Sequence, residues 1–255
     1  MILKDKVAIV TGGASGIGEE ICLQFAREGA RIAIADIDSA ASAGVIAKIE
    51  REGGRAIALN VDIRHLAEVK KAAQQVLDGY GSVDILVNCA GYNKFVGVEE
   101  VTPELWDQLL SINLTGSWNF ANAVMAHMRQ RRSGKIINIG SAAAILANPK
   151  CLPYVVAKHG IVGLTRALAV DLGPDQINVN CICPGPIQTP LFDKSTTPEF
   201  ARRIKERMPL KRLGKPSDIA HAAVFFASSK SDFISGTVLP VDGGLVCCIR
   251  SQHYE

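Results

Sequence analysis

Long apolar runs are missing from this sequence, and no window approaches the ~20 residues that a membrane-spanning helix requires. Strong charge of one sign is missing too: a formal net charge of +3 is too small to imply a nucleic-acid partner. The seven cysteines show no Cys-x-x-Cys spacing and no histidine cluster nearby, so neither a zinc site nor, with an odd count, a disulfide framework is supported. Cys89, Cys181 and Cys183 sit in apolar, strand-like segments and read as small core residues, which points to a reduced, cytoplasmic compartment. The start, Met1-Ile2-Leu3-Lys4-Asp5-Lys6, runs directly into a strand pattern, and no signal peptide is expected. His65, His127, His159, His221 and His253 are scattered, so a histidine-based mechanism has no constellation to support it. Internal repeats, low-complexity tracts and linkers are absent as well.

What the chain has is a steady alternation. Strand-like runs fall near 7–10, 31–35, 55–59, 84–87, 135–139, 177–183 and 238–240, with helical patterns between them. This rhythm predicts an α/β fold, one doubly wound parallel sheet of about seven strands with helices on both faces. The apolar content of 48% supplies a core, and a single domain spanning 1–255 is expected. Only 186–216 breaks the rhythm. It follows the C-terminal end of the sixth strand, where open α/β sheets bind ligands, and reads as a substrate lid within the domain. Its Lys194, Arg202, Arg203, Lys205, Arg207, Lys211, Arg212 and Lys215 invite a phosphate or acidic-carrier reading. Glu199 and Glu206 interleave with them, so a solvated helix face is the plainer alternative. Arg129, Arg131 and Arg132 close another helix, where cations suit the dipole.

The first strand runs into Thr11-Gly12-Gly13-Ala14-Ser15-Gly16-Ile17-Gly18 and then into a helical pattern carrying Ile21 and Phe25. A helix N-terminus presents unpaired N–H groups and a positive dipole end, and glycines let a pyrophosphate approach the backbone. Asp36 ends the next strand, eighteen residues past Gly18. An acid there is placed to accept hydrogen bonds from an adenosine ribose and to repel a 2′-phosphate. Its plainer reading is a residue at a helix start beside Asp38 and Ser39.

Tyr154 and Lys158 stand four residues apart in a helical run, and so share one face. Tyrosine, with an unperturbed pKa near ~10, is a poor proton donor or acceptor at neutral pH, and a cation beside it favours the phenolate. Ser141 follows the fifth strand and opens onto the same sheet edge as the glycine turn, where a hydroxyl can donate to a carbonyl oxygen as negative charge grows on it.

These motifs, in this order, resemble the short-chain dehydrogenase/reductase family over about residues 4–244. The resemblance implies a Rossmann-type domain. It implies NAD contacts at Gly12, Ser15, Gly16, Ile17 and Gly18, with Asp36 on the ribose and Asp62 and Ile63 at the adenine. Asn88, Ala90 and Gly91 resemble the family's Asn-Asn-Ala-Gly segment, in which Cys89 here replaces the second asparagine. It further implies that Lys158, beside Tyr154, binds the nicotinamide ribose, and that Pro184, Gly185, Ile187 and Thr189 hold the nicotinamide side. Asn113 matches the residue that holds a water in the proton relay; the alternative is a buried amide capping local backbone.

The expected activity is hydride transfer between NAD(H) and a small-molecule secondary alcohol or ketone, with Tyr154 as acid/base, Ser141, Lys158 and Asn113 beside it, and no metal, membrane or nucleic acid involved. A 3-oxoacyl-thioester reductase is the alternative within enzymes, and a non-catalytic nucleotide-binding regulator is the alternative outside them. The helix at 154–172 is apolar over more than one stripe, so a second partner is expected for it, and a homotetramer fits.

Overall fold

The computed structural model describes residues 1–248, without the side chains of Leu191, Lys194 and Ser195. His253 lies outside the described residues, as does the side chain of Lys194 in the lid.

Apolar stretches that cannot pair a face with water must be covered on both sides, and the strands show it. In β1 (Val7–Thr11) every residue is buried. Val7 and Ile9 point into one core cluster, Ala8 and Val10 into the other. β2 (Arg31–Asp36), β3 (Arg55–Asn60), β4 (Ile85–Asn88), β5 (Gly134–Ile139), β6 (Ile177–Pro184) and β7 (Val238–Val241) complete a sheet of order β3-β2-β1-β4-β5-β6-β7. Every neighbouring pair is parallel. The expected doubly wound sheet of seven strands is therefore present. Asp84 stands just before β4, its carboxylate accepting the Val7 N–H at 2.9 Å while its own N–H donates to Val7 O at 2.9 Å.

Helices α1 (Gly16–Arg27), α2 (Ser39–Arg51), α3 (Leu66–Tyr80), α4 (Pro103–Leu110), α5 (Gly116–Arg131), α6 (Leu152–Leu172), α7 (Pro190–Ser195), α8 (Pro198–Arg207) and α9 (Pro216–Ala227) fill the intervals. One core lies under α1, α2 and α9, with Phe25, Ile49 and Phe226 at its centre. The other lies under α3, α5 and α6, with Val76, Phe120 and Leu168. Between α4 and α5, Ser111–Thr115 forms a π turn that carries Asn113. The wider turn takes up one extra residue in an otherwise continuous helical path.

The segment 186–216 is not a bare insertion. Thr189 and Thr197 each precede a proline and each accepts the N–H three residues on, at 3.2 Å. Such Thr-Pro pairs are helix starts, and they open α7 and α8. The segment's neck is closed by Ile187 pairing with Gly214, with Gln188 N–H to Gly214 O at 2.9 Å and Gly214 N–H to Pro186 O at 3.0 Å.

Candidate active site

Strand order reverses between β1 and β4, so the turns that leave them lie side by side at the C-terminal edge, the place where such sheets take ligands. Thr11 staples the two turns, its Oγ1 accepting the N–H of Cys89 and of Ala90, both at 3.0 Å. The bond uses the backbone of Cys89, which is why a cysteine can stand there. Gly12, at φ +64°, has no room for a Cβ, which would fall 2.8 Å from Ala90 Cα; at Gly18 it would fall 2.1 Å from Gly12 O. Ser15 caps α1 in extended backbone with no side-chain bond, leaving the first amides of the helix open. A phosphate-bearing group fits that cradle of open amides and missing Cβ atoms.

Asp36, at the end of β2, accepts the Ala14 N–H with Oδ2 and the Asp38 N–H with Oδ1, each at 3.1 Å. These bonds hold its carboxylate against the glycine turn while lone pairs remain free for a ligand. Asp38 is the residue that caps α2, and Asp36 holds the N–H of that cap from two residues before it. Asp62 is engaged by Arg64, which holds its carboxyl below the usual carboxylate range. Ile63 is buried against Gly116, and its carbonyl receives Asn119 Nδ2 at 2.9 Å. Asn119 escaped the sequence reading; an amide in a buried helix face just after the π turn was the available signal.

On the other side of the switch, α6 packs on β6 and on the short turn Ala142–Ala144 that Ser141 caps. Ser141 Oγ accepts the Ala143 N–H at 3.1 Å, which leaves its own proton to donate. Tyr154 is half-buried in the first turn of α6. Lys158 is 4% exposed, so it is desolvated, and its Nζ donates to Ile139 O at 2.9 Å and lies 5.6 Å from the centre of the Tyr154 ring. A further chain of buried polar side chains fixes the helix. Asn88 Nδ2 donates to Asn138 Oδ1 at 2.9 Å, Asn138 Nδ2 to Thr165 Oγ1 at 2.9 Å, and Thr165 Oγ1 to Ile161 O at 2.7 Å. Of these, only Asn88 was legible beforehand.

Asn113, 1% exposed, gives Nδ2 to Tyr92 O at 2.7 Å and to Leu109 O at 3.0 Å, and its Oδ1 accepts the Tyr92 N–H at 3.2 Å. Its amide is thus spent on backbone and positions the 88–93 loop. Gly91 must be a glycine beneath it, since a Cβ would meet Asn113 Oδ1 at 2.9 Å and Lys158 Nζ at 3.5 Å. Pro184 ends β6, and Gly185 passes so close to Asp242 that a Cβ would lie 2.8 Å from its Cα. Ile187 is 7% exposed, and Thr189 Cγ2 comes within 3.4 Å of the Cβ position of Gly16. The lid therefore begins directly over the glycine turn.

Cys181 and Cys183 are buried with their Sγ atoms 3.8 Å apart, behind Gly140, and are core residues as expected. Arg129 and Arg131 are taken up by Asp175 and Asp84 at 3.0 and 2.9 Å, and Arg132 by Pro174 O at 2.9 Å. They belong to the scaffold. Among the described residues no cluster of ligating side chains could hold a metal, and no helix is long and apolar enough to cross a membrane.

A family model described as enoyl-(acyl carrier protein) reductase matches residues 12–246. The chain is 38% identical to the hydroxy(phenyl)methylsuccinyl-CoA dehydrogenase subunit BbsD of Thauera aromatica, over 96% of this chain and 98% of that protein. It is 35% identical to the 3-oxoacyl-acyl-carrier-protein reductase FabG of Thermotoga maritima, over 96% and 100% respectively. The crystal structure of levodione reductase superposes with a TM-score of 0.94 at 29% identity, covering 96% of this chain and 99% of that one. With its glycine turn, its Asn-x-Ala-Gly turn and its Ser, Tyr and Lys on one sheet edge, the chain belongs to the short-chain dehydrogenase/reductase family of oxidoreductases that use a nicotinamide nucleotide.

Proposed function

We propose that this protein uses NAD(H) to interconvert a secondary alcohol and a ketone. The observation that carries the reading is Lys158, a desolvated ammonium tied to Ile139 O and set 5.6 Å from the Tyr154 ring, on the helix packed against the Ser141 turn. In this reading the nicotinamide, when bound, supplies or accepts the hydride. Ser141 donates its free proton to the substrate oxygen, which stabilises the charge that develops there. Tyr154 hands a proton to that oxygen in reduction and removes it in oxidation. Lys158 favours binding of the ribose hydroxyls. Asn113 holds the loop that roofs the site. Asp36 supports NAD over NADP, since it presents a carboxylate at the ribose end and no Lys or Arg occupies Gly13, Ala14, Ser15 or Ile37.

A second reading, reduction of a 3-oxoacyl thioester, is favoured by the basic lid and by the thioesters named for the Thauera and Thermotoga relatives. A cofactor-absorbance assay with polyols, cyclic alcohols and hydroxyacyl compounds tests both. Turnover of at least one of these with NAD, abolished by Tyr154→Phe, is expected. Cofactor binding with no turnover of any would leave a nucleotide-binding regulator as the reading.

We also propose a homotetramer. Val156 and Val170 of α6 and Trp118 of α5 remain 38%, 75% and 39% exposed, an apolar surface that a second copy would cover. Light scattering should give a mass near four chains, and a monodisperse monomer at micromolar concentration would rule this out.

A further inference from the structure

Helix α6 presents one buried stripe to the sheet, Lys158, Ile161, Thr165, Leu168 and Leu172, at alternating three- and four-residue spacing. Its apolar members make non-directional contacts, which hold the helix down without fixing its position along its own axis. The two polar members can fix it. Both reach β5, and they bond to consecutive residues there: Asn138 Nδ2 donates to Thr165 Oγ1, and Lys158 Nζ donates to Ile139 O, each at 2.9 Å.

The two bonds differ in stiffness. Lys158 reaches its acceptor through a flexible four-carbon stem, and no carboxylate lies within 4.0 Å of its ammonium among the described residues. Its place therefore follows the helix. Thr165 has a short β-branched side chain, and its hydroxyl is pinned a second time by donating to Ile161 O at 2.7 Å. Asn138 and Thr165 are both fully buried, so water does not compete for the bond between them. The other side-chain bonds that reach α6 from outside lie at its ends and are long, Asn93 Nδ2 to Cys151 Sγ at 3.8 Å and Arg129 Nη2 to Asp171 O at 3.5 Å. Asn138 is itself held, because its Oδ1 accepts Asn88 Nδ2 at 2.9 Å, and Asn88 ends β4 where the Asn-x-Ala-Gly turn begins. One amide thus links the turn beside the nucleotide cradle to the helix that carries the reacting groups.

We infer that Asn138 is a positioning residue for the reaction: through Thr165 it sets the depth at which α6 carries Tyr154 and Lys158 against the cradle. This rests on the acid/base role proposed above for Tyr154. Asn138 and Thr165 are sealed from the cleft, so their loss should fall on the rate of the chemical step and leave substrate binding alone.

The test is a double-mutant cycle read in kcat and KM for the best secondary alcohol of the panel above, with kcat counted per cofactor-binding site so that an unfolded fraction does not register. Thr165→Val keeps the branched shape and removes the hydroxyl; it should lower kcat by about 10-fold and leave the substrate KM within about 2-fold. Thr165→Ser retains the hydroxyl and should keep kcat within about 2-fold of wild type. Asn138→Ala removes the same bond from the other side and leaves Asn88 Nδ2 with Ser117 O at 3.2 Å. Because one bond breaks only once, kcat of Asn138→Ala/Thr165→Val should match that of the single variants and not fall by the product of their effects. If Asn138→Ala does not fold, the contrast between Thr165→Val and Thr165→Ser decides alone. Wild-type kcat in Thr165→Val, a Thr165→Ser variant as slow as Thr165→Val, a change confined to KM, or multiplying effects in the double variant would overturn the inference and leave the proposed chemistry standing. If the wild type turns over nothing in the panel, the proposed chemistry falls, and crystal structures of the two Thr165 variants decide the inference. A shifted α6 with the Lys158–Ile139 bond lost in Thr165→Val and kept in Thr165→Ser supports it, and an unmoved helix overturns it.

Discussion

The glycine turn and the lid meet where Thr189 Cγ2 lies 3.4 Å from the Cβ position of Gly16, and they are built by opposite means. The turn is specified by backbone. Thr11 staples it, Asp36 bonds its amide, and two glycines sit where any side chain would collide with main chain. The lid is specified by side chains. Its neck is pinned at Ile187 and Gly214, and beyond that α8 has no buried residue and forms salt bridges mainly with itself. Recognition of a cofactor shared by many enzymes can rest on main-chain geometry, which tolerates almost no substitution. Recognition of the individual substrate rests on a cover whose residues can change without disturbing the sheet.

The largest expected effect tests whether chemistry belongs to neither region but to the helix between them. Tyr154→Phe keeps the ring that lies beside Lys158 and removes the proton, so turnover should fall by ~100-fold or more while cofactor affinity persists. Lys158→Ala should lower turnover and weaken cofactor binding as well, since it leaves Ile139 O unpaired and removes the ribose contact. Rapid-kinetic assays with fluorescence titration of the cofactor separate the two. Near-normal turnover in Tyr154→Phe would mean that this edge of the sheet binds and does not react.

Gly18→Ala against Phe200→Ala puts the contrast itself at risk. The new Cβ at position 18 must displace the Gly12 carbonyl, so thermal stability and cofactor affinity should fall together, the stability by roughly 1–3 kcal/mol. Phe200→Ala removes a side chain that is already half in solvent, so Tm should hold within about 1–2 °C and only the substrate KM should move. If Phe200→Ala destabilised the protein as much as Gly18→Ala, the lid would be part of the folded core after all.

This difference also explains what was legible in the sequence. The seven strands and the turn residues could be read because apolar period and glycine spacing are local signals, and Tyr154 with Lys158 because a helix sets i and i+4 on one face. The buried amides Asn119 and Asn138 could not be read as part of the site, since their partners Ile63 and Thr165 lie 56 and 27 residues away. The lid was read without its helix bounds because two short helices broken by Thr-Pro pairs carry no sustained period, although each Thr-Pro was a start signal. Asn113 was placed correctly in the chain, but the π turn that aims its amide at Tyr92 depends on packing.

A third expectation sharpens the backbone half of the contrast. Wild type should prefer NAD to NADP by at least ~10-fold in kcat/KM, and Asp36→Ala should narrow that ratio chiefly by releasing the repulsion toward a 2′-phosphate. Because Asp36 also accepts the Ala14 amide, the same change should loosen the turn and raise KM for both nucleotides. Comparable efficiency with NADP in the wild type would remove Asp36 from cofactor choice.

The smallest effect lies where the lid returns to the body. Asp218 accepts Arg212 through both oxygens, at 2.7 and 3.0 Å, and the Lys215 N–H at 2.7 Å, so it ties the end of the lid to the start of α9. The Arg212 guanidinium holds the Asp218 carboxyl below its ordinary range. A carboxyl depressed in the folded state contributes stability that is present above its unfolded pKa and is lost as pH falls through the folded one. Asp218→Asn should therefore lower Tm by about 2–4 °C at neutral pH, mostly through the weakened cap. The gap to wild type should close as pH falls from about 3.9, the value of an unfolded aspartate, through the lower folded one. Melting curves of both proteins across that range decide it. A gap that stays constant with pH would show that the lid's return is held by backbone bonds alone, as the glycine turn is.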